Sequence, residues 1–167
     1  MQLTKKQVKS LLEVISSDKT REVLTTAYID KFEDKYYLVA TNGYTLAAII
    51  LDTDASGYVG RFVKRDDLIR WYKLASSKDV LTEQELLIGM SRKALQSDVS
   101  YPNWKDIYTS IIKSKFETDT FHINADYFKT MQELVGGLPV KYLNYHNAFI
   151  AKQELGMFII MKLKDAK

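Results

Sequence analysis

Side chains able to do chemistry are few in this chain and do not converge. Its two imidazoles, His122 and His146, lack the close spacing of a metal-binding pair and read as sheet or loop residues. Asp52 and Asp54 sit in the turn-rich segment Asp52-Thr53-Asp54-Ala55-Ser56-Gly57, where carboxylates solvate a turn. Cysteine is absent, which removes disulfides, thiolate metal ligands and thiol nucleophiles. No phosphate-binding glycine loop, serine elbow or acidic metal cluster occurs. The expectation is therefore no catalytic residue, no metal site, no cofactor and no enzyme. Lys and Arg exceed Asp and Glu by only three charges. That is too little for a protein that grips DNA tightly, but enough for a locally positive surface. Trp71 and Trp104 are expected as core or linker anchors; exposed, such rings stack on unpaired bases.

The elements that must position these groups follow from periodicity. Thr4-Lys5-Lys6-Gln7 is a capping box, and Val8, Leu11, Leu12 and Ile15 follow at helical spacing, so a helix is expected over residues 4–16. A strand over residues 22–30 leads to a β-hairpin at Tyr36-Tyr37-Leu38-Val39-Ala40-Thr41-Asn42-Gly43-Tyr44-Thr45-Leu46-Ala47-Ala48-Ile49. There Asn42-Gly43 suits a type I′ turn. A strand at 58–63 delivers a second helix over 65–76, with Leu68, Trp71, Tyr72 and Ala75 on one face. Short strands are expected at 85–90 and 93–99, then Tyr101-Pro102-Asn103-Trp104 as a connection. A short strand, Phe121-His122-Ile123-Asn124, ends in an N-cap for a third helix presenting Phe128, Met131 and Val135 and stopping at Gly136-Gly137. Residues 140–163 alternate as two or three strands. Helix starts near 4, 66 and 124 define three units of about 60 residues. At 167 residues the chain suits one ordinary domain or two small ones. With no apolar run near the roughly 18 residues of a membrane span and no signal-peptide core, a soluble cytoplasmic protein is expected.

Three separated segments carry a family resemblance, in the same order as in that family. Ala40-Thr41-Asn42-Gly43-Tyr44-Thr45-Leu46-Ala47 resembles the Ala-Thr-Asp-Gly-His-Arg-Leu-Ala segment in the middle domain of the bacterial DNA polymerase III β sliding clamp. Tyr101-Pro102-Asn103-Trp104-Lys105-Asp106-Ile107 is similar to the Phe-Pro-Asp-Tyr segment that links the family's last two domains. Met157-Phe158-Ile159-Ile160-Met161-Lys162-Leu163-Lys164 resembles its terminal Tyr-Val-Val-Met-Pro-Met-Arg-Leu.

The resemblance implies an α+β, DNA clamp-like fold of repeated β-α-β-β-β units, with helices packed on one side of curved antiparallel sheets. Residues 1–115 would form a complete domain of two units (about 1–56 and 57–115), and 116–167 a half domain. It also implies a peptide-binding groove lined by Thr41, Gly43, Tyr44, Thr45, Leu46, Pro102, Asp106, Ile107, Ile159, Met161, Lys162, Leu163 and Lys164. Tyr44-Thr45 in place of His-Arg, Lys162 in place of proline and Asp106 where arginine is common leave the bound peptide's identity open. Lys5, Lys6, Lys9, Lys64, Arg65, Arg70, Lys73 and Lys129, on or beside the predicted helices, would face DNA phosphates without reading bases. The implied partners are DNA and a polymerase or other replication protein engaged through a linear motif. A homo-oligomeric ring of about four copies is implied as well. The reduced size suits a phage or mobile element. A monomeric peptide-binding adaptor or decoy that does not encircle DNA is the alternative.

Overall fold

Helix starts 60 residues apart organise the molecule. The computed structural model describes residues 1–88, 100–114, 123–136, 141–145 and 148–162. The first unit comprises β1 (Gln2–Thr4), α1 (Lys5–Val14), a 3-10 segment (Lys19–Thr25), β2 (Thr26–Phe32), β3 (Lys35–Thr41) and β4 (Thr45–Leu51). The second comprises β5 (Phe62–Lys64), α2 (Arg65–Leu74), β6 (Val80–Thr82) and α3 (Glu83–Ile88), followed by a connecting helix α4 (Trp104–Lys113). The third comprises α5 (Ala125–Leu134), β7 (Lys141–Asn144), β8 (Ala148–Gln153) and β9 (Gly156–Met161). The helices α1, α2 and α5 each run ten residues.

Units 1 and 2 exchange their first strands. β1 of unit 1 pairs with β6 of unit 2, while β5 of unit 2 pairs with β2 of unit 1, both antiparallel. Unit 3 instead joins unit 1 edge to edge. β4 and β9 pair antiparallel from Thr45 opposite Ile160 to Ile49 opposite Gly156, which makes one seven-stranded sheet in the order β5-β2-β3-β4-β9-β8-β7. Alternation along these strands feeds two separate cores. Ile29, Leu38, Ala40, Ala47, Ile49, Phe158 and Ile160 pack with Val8, Leu11, Leu68, Met131 and Leu134 of the helices α1, α2 and α5. Tyr37, Val39, Leu46, Ala48, Met157 and Ile159 pack on the opposite face with Trp104, Tyr108 and Ile111 of α4. Both faces are covered, so the central hairpin reads as a nearly unbroken apolar run.

Three local expectations are corrected. The hairpin tip is not a type I′ turn, which needs positive φ at both central residues; Gly43 has φ +93° but Asn42 does not have positive φ. Asn42 works through its side chain instead. Its Oδ1 accepts from the Tyr44 and Thr45 N–H groups (both 2.9 Å), and Arg21 clamps its carbonyl at 2.6 Å. Residues 22–25, expected as the start of a strand, belong to the 3-10 segment Lys19–Thr25, and β2 begins only at Thr26. The strand expected at 85–90 is α3 through Ile88, because Thr82 and Glu85 form a reciprocal cap (Glu85 N–H to Thr82 Oγ1 3.2 Å, Thr82 N–H to Glu85 Oε2 2.9 Å). The strand expected at 93–99, the first half of the one at 121–124, and both histidines lie outside the described residues, and residues 123 and 124 are not strand.

Glu83 ties the ends of units 1 and 2 together. Its buried carboxylate accepts from the Met1 amino group (2.8 Å), the Asp52 and Thr53 N–H groups (3.0 and 3.1 Å) and the Thr53 hydroxyl. Burial pushes this carboxyl upward, but the bonds from Met1, Thr53 and the two backbone groups outweigh it and hold it below the usual value of 4.5. A depressed carboxyl contributes stability that is fully present above its unfolded pKa and is lost as pH falls through the folded one. Glu83→Gln is expected to cost about 1–3 kcal/mol at neutral pH. The gap from wild type should close in acid, as read by urea unfolding across pH 3–7; a pH-independent gap would reject the linkage.

Candidate peptide groove and helix face

Where β4 meets β9, the hairpin tip, the start of α4 and the last strand converge on one cavity of about 100 Å³. It is lined by Leu24, Thr41, Gly43, Tyr44, Thr45, Leu46, Pro102, Ile107, Ile159 and Met161. Each wall has a local cause. The hairpin wall is set by Asn42 and by Thr41, whose hydroxyl donates to the Thr45 carbonyl (2.7 Å) and accepts from the Gly43 N–H (3.0 Å). The strand wall is held in register by the ladder, which continues past its end through the Met161 N–H to the Tyr44 carbonyl at 2.9 Å. The third wall is α4, capped by Asn103, whose Oδ1 accepts from the Asp106 N–H.

Two of the cavity's lining residues stand open to solvent, Tyr44 at 59% and Ile107 at 39% relative exposure. The Tyr44 ring stacks on Tyr127 of α5 with centroids 6.2 Å apart. Tyr101 anchors the start of the α4 wall: its hydroxyl donates to the Val39 carbonyl (3.2 Å) and its ring stacks on Tyr28 (5.0 Å). Burial drives that phenol far above its usual range, so it stays neutral.

Nine of the thirteen groove residues expected from sequence meet in this cavity. Asp106 does not. It stands exposed in the first turn of α4, held by the Asn103 Nδ2 at 2.6 Å. Lys162 is half-buried beyond the end of β9 and outside the lining, and Leu163 and Lys164 lie outside the described residues. Leu24 was missed because it comes from the 3-10 segment, which has no apolar period. Its signal was only its place shortly before the strand leading to the hairpin.

The helices α1, α2 and α5 form a layer on the other face of the sheet. Lys6, Lys9, Arg70, Lys73 and Lys129 are exposed there, as is Lys64 beside α2. Lys6 lies 3.6 Å from Glu133 and Arg70 3.6 Å from Asp67. Lys5 and Arg65, expected to face DNA, are engaged between helices instead. Lys5 Nζ donates to the Ala75 carbonyl (2.6 Å) beside the Tyr72 ring, and Arg65 Nε donates to the Leu12 carbonyl (3.4 Å). These contacts are reciprocal, each helix's first residue gripping the far end of the other. Among the described residues no group of three or more His, Cys, Asp or Glu could hold a metal ion, and no helix is long and apolar enough to cross a membrane.

This arrangement of exchanged first strands, joined sheets and a one-sided triple-helix layer is the fold of the bacterial DNA sliding clamps. The β subunit of DNA polymerase III from Borrelia burgdorferi, solved in complex with a natural product, superposes with a TM-score of 0.60 at 13% identity, over 99% of this chain and 64% of that one. The Thermotoga maritima β subunit gives 0.56 at 10% identity, over 99% and 64%. The Bartonella birtlesii sliding clamp bound to griselimycin gives 0.52 at 15% identity, over 98% and 65%. The chain therefore spans a little under two thirds of the length of these structures and has a clamp-like fold. No protein-family model and no curated protein matches its sequence.

Proposed function

We propose that this protein is a non-enzymatic, clamp-like replication factor that holds a polymerase or another replication protein through a short linear peptide seated in the groove. The observation that carries this reading is the apolar cavity at the junction of units 1 and 3, within a clamp fold. Its size decides what it accepts. Small-molecule sites run to roughly 300–1,000 Å³, whereas about 100 Å³ suits one or two side chains of an extended peptide. Leucine or phenylalanine anchors fit the Leu46, Ile107, Ile159 and Met161 surface, and the thioether adapts to either. Met161→Asp is expected to weaken binding of a fluorescein-labelled peptide carrying a Leu-Phe pair in a Gly-Ser background by at least about 30-fold. Fluorescence anisotropy reads the change; unchanged affinity would remove the groove assignment.

Sequence-independent contact with DNA in the cytoplasm extends this reading, with Lys6, Lys9, Lys64, Arg70, Lys73 and Lys129 meeting phosphates. Oligomerisation would allow the duplex to be encircled. A specific observation favours the second reading, a monomeric adaptor or decoy. Unit 3 carries Ala125 where units 1 and 2 carry Lys5 and Arg65, and Gln132 where they carry Leu12 and Tyr72; both are exposed. The side chains that latch α1 to α2, those of Lys5, Arg65 and Tyr72, thus have no counterpart on α5. Polar outer faces mark the terminal units of repeat arrays. Light scattering coupled to size exclusion separates the readings. A closed oligomer whose DNA affinity falls with salt, with a slope that drops when Lys9, Arg70 and Lys73 are reversed to Glu, supports encirclement. A monomer at all concentrations supports the adaptor.

A further inference from the structure

We propose that Asp30 is a positioning residue for the groove: it fixes the rotation of α4, and with it the outer wall formed by Pro102 and Ile107. The inference concerns the wall itself, and its consequence for partner binding rests on the peptide reading above. Asp30 lies on β2, outside the cavity, with its side chain only 13% exposed. Its Oδ2 accepts the indole N–H of Trp104 and its Oδ1 the ammonium of Lys105, both at 2.8 Å. Trp104 and Lys105 are consecutive residues on a helix, so their side chains leave it about 100° apart. One carboxylate that holds both defines how the helix is rolled about its axis. Burial of the indole alone does not, because an apolar contact is non-directional.

Ile107 follows Trp104 by three residues and Pro102 precedes it by two, so both wall residues move with that roll. The middle of α4 is latched to unit 3, where the Lys152 ammonium on β8 donates to the Tyr108 hydroxyl and lies 4.8 Å from its ring centre. The helix is thus bolted to unit 1 by Asp30 and to unit 3 by Lys152, across the seam that the groove occupies. The charge-assisted bonds to Asp30 are the stronger kind and are largely shielded from water.

The test is Asp30→Ala in the full chain, with two readouts. The first is affinity for the labelled Leu-Phe peptide. The second is the Ile107 δ1-methyl resonance in a methyl-resolved NMR spectrum, with the Ile49 methyl on the opposite face of the sheet as reference. The expected result is at least tenfold weaker peptide binding, a displaced Ile107 methyl, an unmoved Ile49 methyl and cooperative unfolding retained. An unmoved Ile107 methyl overturns the proposal. So does a loss of affinity that only tracks the fraction of unfolded chain. If wild type does not bind the peptide, the peptide reading fails, and the Ile107 methyl alone then decides whether Asp30 sets the wall. If Asp30→Ala does not fold, Asp30→Asn keeps one acceptor and is expected to displace the same methyl by a smaller amount; a wild-type spectrum from it overturns the proposal.

Discussion

Gly156→Ala is expected to lower the stability of the protein by about 3 kcal/mol, at the upper end for overpacking, and to abolish peptide binding with it. Gly156 opens β9 at φ +153°. A Cβ placed there would lie 2.2 Å from the Ala48 carbonyl oxygen and 2.9 Å from the Ile49 Cα. Both atoms are backbone, so no side chain can rotate away. Relief requires β9 to separate from β4 where Gly156 faces Ile49 and where the Ile50 N–H reaches the Leu155 carbonyl at 2.8 Å. The other end of the same β4–β9 seam, at Thr45, Leu46 and Ile159, lines the cavity. Urea unfolding should show a lower midpoint for Gly156→Ala. Gly57→Ala, with nothing within 4 Å of the added carbon, should stay within about 0.5 kcal/mol of wild type. Equal midpoints for the two variants would show that the strands tolerate separation.

Trp104→Ala should cost about 3–5 kcal/mol, the range for deleting a large buried aromatic. The indole is 1% exposed and lies edge-on to Phe32 (5.4 Å) and tilted against Tyr37 (5.5 Å). Its removal opens a cavity under α4 and takes one of the two α4 partners from Asp30. Trp104→Phe refills most of the volume without the N–H and should recover more than half of the loss. The comparison by thermal or urea unfolding separates packing from hydrogen bonding. If the phenylalanine variant is no better than alanine, the bond to Asp30 dominates.

Much of this architecture was legible because its signals are local. The capping box at Thr4 and the N-cap at Asn124 mark helices by side-chain chemistry that needs no tertiary partner. The hairpin was visible from its β-branched and aromatic runs, although the turn was misassigned, because the dipeptide Asn-Gly serves both a type I′ turn and a loop closed by the asparagine side chain. Tyr101-Pro102-Asn103-Trp104 reads as a connection, since Tyr101-Pro102 looks extended, and that reading does not reveal the helix α4 that starts at Trp104. Yet Asn103 as a cap, followed by Trp104, Tyr108 and Ile111 at helical spacing, was already there. The engagement of Lys5 and Arg65 could not be read at all. A lysine at the start of a helix looks solvated until the neighbouring helix is known to end beside it.

The pairing of β4 with β9 also bears on when the groove comes into being. The two strands are more than a hundred residues apart in the chain, and bringing such distant segments together is an entropic cost that local helices and hairpins do not carry. The hairpin β3-β4 needs only a local closure, but the cavity beside it lacks Ile159 and Met161 until the last strand docks. A chain still emerging from the ribosome, or one trapped before β9 has found its edge, has only a fragment of the cavity. Under the proposed peptide-binding function, partner capture would therefore be a property of finished chains, with the groove as its own checkpoint on folding.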